Sequence, residues 1–403
     1  MNIKALIKAL LLRKFNTFLL ILQLAITLGL IVNSTILSLD TANKLALETG
    51  LELDNTLSIE FRKTSGDYRD IDFTRSIMQQ DLAELAKIPG VESITATNQL
   101  PLGDGGTNGN VYDLDEPNSD RRDRGLGYVP YFIAKEGVSD ALSLEIIEGR
   151  MLTNADSPTE ENGQVGVLIT ESLSKALHKD QSSIGQELNA GIVVGVVKDV
   201  LIRPSNTMDN QYAIFINSIE QRANWGDVYI LKVEPGMLES VKKQVSDVML
   251  GVEPQRDIYK VASLAERFED YYANNKGLSK LFIMLTLLML LVTAISSFAY
   301  ARFHMSQQTK FIGIRRALGA KKRDVILYVL AENWLLTGLG VLFGIALMIG
   351  LNIMLSQYVS LTKPTVLLTL MGVTLVYLAG TIATWWPAYQ TSKIAPVIAT
   401  RSI

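Results

Sequence analysis

Four glycines in quick succession, Gly103, Gly105, Gly106 and Gly109, are the nearest this sequence comes to a phosphate cradle. A nucleotide loop needs a lysine followed by Ser or Thr, with a helix behind it to receive the phosphates. Neither is signalled here, so the stretch reads as a loop. No Gly-x-x-x-x-Gly-Lys-Ser/Thr run occurs anywhere in the 403 residues, so the chain is not expected to hydrolyse nucleotide. The two histidines, His178 and His304, lie too far apart in the topology derived below to share a metal, and each is expected at the surface. Cysteine is absent, which excludes thiol chemistry and disulfides and suits an oxidising exterior. Carboxylates are plentiful, but their spacing selects no acid–base pair and no nucleophile has a supporting base. The chemistry left is recognition. Residues 302 to 324 carry Arg302, Lys310, Arg315, Arg316, Lys321, Lys322 and Arg323 around an apolar stripe of Phe311, Ile312, Ile314, Ala317 and Leu318. As a short helix from Thr309 to Leu318, stopped by Gly319, this segment would either lie on anionic lipid or dock into a groove on a cytoplasmic partner.

The elements that must position this segment are membrane spans. A hydrocarbon core of roughly 30 Å takes about 20 helical residues. Four runs qualify, at 17–39, 281–301, 325–356 and 366–386, in a chain of mean hydropathy +0.21. The first follows Lys4, Lys8, Arg13 and Lys14 as a secretory signal would, but it exceeds the usual signal length and Asn33 to Leu37 offers no small-x-small site. An uncleaved anchor is expected. Basic residues collect in 1–16, 302–324 and the tail 387–403, whereas the short 357–365 loop has only Lys363. The positive-inside rule therefore places both termini and the 302–324 loop in the cytoplasm, and residues 40–280 outside. That exterior stretch holds 24 Lys and Arg against 39 Asp and Glu, a net of −15, whereas the whole chain is −3. An acidic exterior excludes nucleic acid as a partner.

Within 40–280 the pattern is strand, helix, strand twice: Thr56 to Arg62, Ile77 to Ile88 and Val91 to Thr97, then Val228 to Val233, Met237 to Leu250 and Asp257 to Ser263. These two portions, 40–100 and 210–263, are expected to pack as one porter-like lobe. A turn-rich second lobe at 101–209 contains strands at Gln164 to Thr170 and Ile192 to Val197 and a helix at Glu171 to His178. Apolar residues at helical spacing, among them Val261, Leu264, Phe268 and Tyr272, predict a stalk over 261–280 that runs as continuous helix into the second span. Gly340 and Gly344 form a GxxxG step in the third span, a site for close helix approach, expected within the chain's own bundle. Glu332, near the cytoplasmic end of that span, is expected to reach the interface or to pair with a loop cation. The fold class is thus an α+β membrane protein, with four transmembrane helices and a two-lobed α/β domain inserted between the first two on helical stalks.

The run Phe311-Ile312-Gly313-Ile314-Arg315-Arg316-Ala317-Leu318-Gly319, continuing to Val325 and a glycine-rich span, resembles the signature of FtsX-like permeases. The ending Pro387-Ala388 to Pro396-Val397 is similar to that family's close. The exterior resembles the periplasmic core of MacB-type permeases at Ile88-Pro89-Gly90-Val91, Glu148-Gly149-Arg150 before Asp156, Ile184-Gly185-Gln186 and Val193 to Val197. The resemblance implies the permease subunit of an ATP-binding-cassette exporter of the mechanotransmission kind in a bacterial inner membrane. ATP and Mg would be held by a separate ATPase, and the partners would be that ATPase, a second permease subunit and a periplasmic adaptor. Segment 309–318 would be the coupling helix, and the implied cargo is peptides, antibiotics or other hydrophobic compounds. Phe311 departs from the family, which has an acid before Ile-Gly. The alternative is an FtsX-like regulator that moves no substrate and acts on a partner such as a murein hydrolase.

Overall fold

The computed structural model describes residues 14–114, 126–157, 165–179, 181–205, 211–357 and 363–393. Lys4, Lys8 and Arg13, residues 358–362 of the short loop, and the closing Ile394-Ala395-Pro396-Val397 with Arg401 lie outside them. The chain forms two compact units, one of Met1–Lys44 with Ala273–Ile403 and one of Leu45–Tyr272.

The helical unit consists, in its described part, of α1 (Lys14–Leu45), α7 (Ala273–Ala317), α8 (Lys322–Leu355) and α9 (Val366–Ser392). Each contains a window long and apolar enough to cross a membrane. All are longer than the apolar run that announces them, since each helix continues into its polar flanks, in α9 through Pro387. A core of Leu20, Leu24, Leu28 and Val32 on α1 meets Leu336 and Met348 on α8 and Val376 on α9.

The inserted unit is one sheet of 11 strands in the order β11-β1-β10-β2-β4-β9-β6-β8-β5, with β3 on β4 and β7 on β8. The first four are β11 (Arg256–Ser263), β1 (Thr56–Lys63), β10 (Val228–Val233) and β2 (Val91–Thr97), all antiparallel to their neighbours. With α2 (Ile71–Leu85) and α5 (Leu238–Val252) they make a split β-α-β arrangement. Alternation sorts the side chains: Tyr229 and Leu231 face α2 and α5, while Val228 and Ile230 face the opposite core. α2 begins six residues before the expected Ile77, because the Asp70 carboxylate caps it by accepting the Asp72 N–H at 2.9 Å.

The second half contains β3 (Asn108–Val111), β4 (Leu126–Ala134), α3 (Val138–Ala141), β5 (Ile146–Gly149), β6 (Gly166–Thr170), α4 (Glu171–His178), β7 (Glu187–Leu188), β8 (Gly191–Val197) and β9 (Ile214–Asn217). β9 pairs with β4 and β6, so 214–217 belongs to the second lobe and not to the first, as the 210 boundary had it. Its four residues are buried on both faces and show no alternation from which the pairing could be read. The two halves join through a single residue pair, Thr97 with Ala134. Side chains continue the seam: Asn98 Oδ1 accepts the Ile133 N–H at 2.9 Å, and Gln99 Nε2 donates to the Tyr131 carbonyl at 3.0 Å. The glycine stretch is tied to the same place, since Gln99 Oε1 accepts the Thr107 N–H at 2.6 Å.

The expected continuous stalk is not found. Val261 lies in β11, α6 covers only Leu264–Tyr271, and the helix stops at Tyr272 before α7 begins at Ala273. Ser263 caps α6 through a reciprocal pair with Glu266, so the strand ends there. Leu264, Phe268 and Tyr272 are core residues of the inserted unit, packed with Phe132, Phe215 and Ile230. Helical spacing located the buried face correctly; its burial in a globular core ends the rod.

Two ion pairs anchor this unit. Asp81 on α2 takes a two-pronged contact from Arg256 at 2.5 and 2.9 Å and a hydrogen bond from the Tyr229 hydroxyl at 2.8 Å, with both charged side chains fully buried. Burial pushes the Asp81 carboxyl upward, against the pull of the guanidinium. In the other half Arg150 forks onto Asp156 at 2.6 and 2.7 Å, and the Thr153 N–H and hydroxyl donate to the same carboxylate. Arg150 follows Gly149, whose φ of +79° turns the chain where a Cβ would meet the Val194 carbonyl at 2.3 Å.

Removing Arg256 strands a buried carboxylate, so Arg256→Met should cost about 3–5 kcal/mol in denaturant unfolding of the full chain; a loss below about 1 kcal/mol would contradict the structure. The Arg150 guanidinium foremost, with Thr153, holds the Asp156 carboxyl at about 2. A depressed carboxylate contributes stability above its unfolded value of about 3.9 and loses it as pH falls toward the folded value. The stability gap between the parent and Asp156→Asn should be constant above about pH 5 and roughly halved by pH 3. A gap that stays level or widens on acidification would refute the assignment.

Candidate functional site

The turn between α7 and α8 gathers the residues that the sequence singles out for recognition. The segment 309–318 is the last turns of α7 itself, and not a separate short helix in a 302–324 loop. Nothing between Arg302 and Ile312 stops a helix, and Gly313 alone costs too little to do so. The stop is Gly319, at φ +96°. Its N–H reaches the Arg316 carbonyl at 3.2 Å and that of Ala320 reaches the Arg315 carbonyl at 3.1 Å, the paired closure of a left-handed helix end. α8 starts three residues later, with the Asp324 carboxylate accepting the Lys321 N–H at 2.9 Å.

The apolar stripe divides in two. Phe311, Ile314 and Leu318 are 51%, 46% and 83% exposed and form a ridge at i, i+3, i+7. Ile312, at 3%, and Gly313 turn inward, so neither belongs to a docking face. Ala317 and Gly319 are exposed beside the ridge, and Arg316 is half-buried. Arg315 is held between two rings, its guanidinium carbon 5.1 Å from the centre of Phe311 and 5.2 Å from that of Tyr328 on α8. Such contacts are worth roughly 0.5–1 kcal/mol each at exposed sites. Beside them opens a cavity of about 450 Å³, bounded by Ile312, Ala320, Asp324, Val325 and Leu327 together with the three stacked residues. Phe311, which departs from the acid expected there, is thus one wall of the aromatic clamp.

Behind the turn, Gly340 and Gly344 face α1. A Cβ on Gly340 would lie 2.6 Å from the Leu24 Cβ, and one on Gly344 would lie 2.9 Å from the Leu28 Cδ2 and 3.2 Å from the Ala25 Cα. α1 and α7 are joined by hydroxyl contacts: Thr27 with Thr293 at 2.9 Å, Ser34 with Thr286 at 3.1 Å and Ser38 with Ser279 at 2.7 Å. These pairs were missed in the sequence, where Ser and Thr in apolar runs carry no distinct signal.

Neither histidine lies at the surface, contrary to expectation: His304 is buried and His178 is half-buried. His178 Nδ1 meets the Ser183 hydroxyl at 2.7 Å and its Nε2 meets Asp113 at 3.2 Å. This resembles a hydrolytic relay in composition, but Ser183 has no exposed surface, so no substrate reaches it. His304 pairs with Glu332 at 2.8 Å, which replaces the loop cations as the partner of that carboxylate. Among the described residues no group of three His, Asp or Glu side chains could hold a metal.

The model of the FtsX-like permease C-terminal region matches residues 283–396, and that of the MacB-like periplasmic core domain matches residues 19–261, well over half of the chain. The chain belongs to the MacB-type, FtsX-like permeases. It is 24% identical over 263 residues to the macrolide export ATP-binding/permease protein MacB of Bdellovibrio bacteriovorus, a match covering 60% of this chain and 40% of that protein. It is also 24% identical over 336 residues to the pyoverdine export ATP-binding/permease protein PvdT of Pseudomonas fluorescens, covering 80% and 48%. The chain spans less than half the length of these curated relatives. The crystal structure of the periplasmic region of MacB from Actinobacillus actinomycetemcomitans is 16% identical, covers 58% of this chain and 98% of that one, and superposes with a TM-score of 0.38. By the family match, the inserted unit of this MacB-type permease is a MacB-like periplasmic core domain, and the four long apolar helices are its candidate membrane spans.

A side chain at Gly344 would push α1 from α8, and overpacking of that kind costs about 1–3 kcal/mol. Gly344→Val should therefore lower the melting temperature of the detergent-solubilised chain, whereas Gly350→Val, with open space around it, should not. Equal effects at the two positions would show that the close approach is absent.

Proposed function

We propose that this chain is the permease subunit of an ATP-binding-cassette exporter, in which a separate ATPase binds ATP and Mg and drives motion of the periplasmic domain by pushing on the α7–α8 turn. The reading is carried by the ridge Phe311, Ile314 and Leu318. It is an apolar surface flanked by cations, beside a cavity, at the end of an unbroken helix that enters the membrane. Apolar anchors at this spacing fit a groove on a protein partner. The charge distribution supports a cytoplasmic turn and cytoplasmic termini in a bacterial inner membrane. The MacB-like core domain supports an exporter over a regulator of murein hydrolases. By analogy with the named relatives, which export macrolides and pyoverdine, the cargo is a hydrophobic or peptidic compound; a second permease subunit and a periplasmic adaptor complete the assembly in this reading. Four spans are too few to enclose a large pathway, which supports the second subunit.

Because the ridge is exposed, a charge placed on it leaves the bundle intact. Ile314→Glu and Leu318→Glu should each reduce co-purification of the ATPase at least tenfold while membrane insertion and melting temperature stay at parental values. Undiminished co-purification with both variants would reject the docking assignment.

A further inference from the structure

His304 and Glu332 are ionisable, buried and unused by the docking ridge. Their side chains are 6% and 4% exposed, and Nε2 and Oε2 stand 2.8 Å apart across α7 and α8. A carboxylate inside a membrane protein persists only where it is paired or faces a polar cavity, and removing one partner of such a pair strands the other. The pair therefore resists any slide or rotation of α7 on α8. Its position gives that resistance a use. His304 is seven residues, or about two turns, before Phe311 on the same helix. Glu332 is one turn after Tyr328, whose ring carries Arg315. Next to the pair, Met305 on α7, Val329 on α8 and Ala388 on α9 close a buried cluster against which Tyr328 packs. On the other side the Tyr300 ring stacks on the imidazole, with centroids 6.0 Å apart and planes 5° from parallel. Tyr300, His304 and Met305 on α7 thus lie together with Val329 and Glu332 on α8, and Arg315 links Phe311 to Tyr328.

We infer that His304 and Glu332 are positioning residues: they clamp α7 to α8 and fix the rotation of the docking ridge, so that a load on the turn moves both helices as one body. The load comes from the docking reading above, but the clamp itself does not depend on it. Without the pair, α7 would turn about its own axis under the same push, and Ile312 would no longer be held inward while Ile314 faces out.

The absence of native cysteine allows the clamp to be read directly. Spin labels at Ser306→Cys and Ile353→Cys, both exposed, report the position of α7 against α8 in the full chain in lipid nanodiscs. The parent should give one narrow distance distribution. His304→Gln and Glu332→Gln keep side-chain bulk and should each at least double its width, and the exchange variant His304→Glu with Glu332→His should restore it. Single variants as narrow as the parent, or an exchange variant as broad as the singles, overturn the proposal. A purely space-filling role would be met by the Gln variants, and would leave the distribution unmoved. If a Gln variant fails to insert, the exchange variant decides: narrow supports the clamp, broad refutes it. No ATPase is needed for these measurements. Retained ATPase binding by Ile314→Glu together with broadening in the Gln variants would discard the docking reading and keep the clamp.

Discussion

The length of α7 is the constraint on which the membrane half depends. At 45 residues and 1.5 Å per residue it is about 68 Å long, more than twice a hydrocarbon core of roughly 30 Å. A helix this long cannot be hidden by tilt, so part of it must emerge as rigid helix. The exposed ridge near its end is therefore an extension of the span, with no flexible joint before Gly319. Any force on Phe311, Ile314 or Leu318 enters the membrane through main-chain hydrogen bonds and not through a loop.

Packing against α7 and α8 follows from what a bilayer denies. Lipid offers no hydrophobic drive for helices to associate, so contact relies on close approach and on polar pairs that have no better partner. Gly340 and Gly344 supply the approach to α1. The hydroxyls of Thr27, Ser34 and Ser38 supply the pairs to α7, each bonded across to Thr293, Thr286 or Ser279. The His304–Glu332 pair does the same between α7 and α8 with an imidazole and a carboxyl group in place of hydroxyls. Large apolar residues such as Met284, Leu287 and Ile382 stay on the outside, where lipid or another helix can meet them.

The MacB-like core domain solves a different problem, that of holding two lobes on one sheet. Among the described residues Thr97 and Ala134 are the one register pair across the join, closed by backbone bonds from the Asn98 N–H to the Ile133 carbonyl and from the Lys135 N–H to the Ala96 carbonyl, and the side chains of Asn98 and Gln99 extend it. A core on one face crosses the join and includes Phe132 and Phe215 from one half with Val228 and Ile230 from the other. Within each half a charge pair locks a loop or helix to the sheet, Asp81 with Arg256 and Arg150 with Asp156.

Hydropathy, charge asymmetry and period by themselves determined the four apolar helices, the inserted acidic domain and its two strand-helix-strand portions, because each is a property of neighbouring residues. They could not determine what depends on residues far apart in the chain. Ile312 and Ile314 look alike in sequence, yet one is buried and the other exposed, because only the packed α8 decides which way that face turns. His178 and His304 look isolated until folding brings Asp113 and Glu332 to them across 65 and 28 positions. The break at Tyr272 likewise reflects a globular core that takes Leu264 and Phe268 into itself, which no local period can announce. Local pattern fixes which elements form; the partner found across the chain fixes which face each element hides and which, as at Phe311, Ile314 and Leu318, stays uncovered.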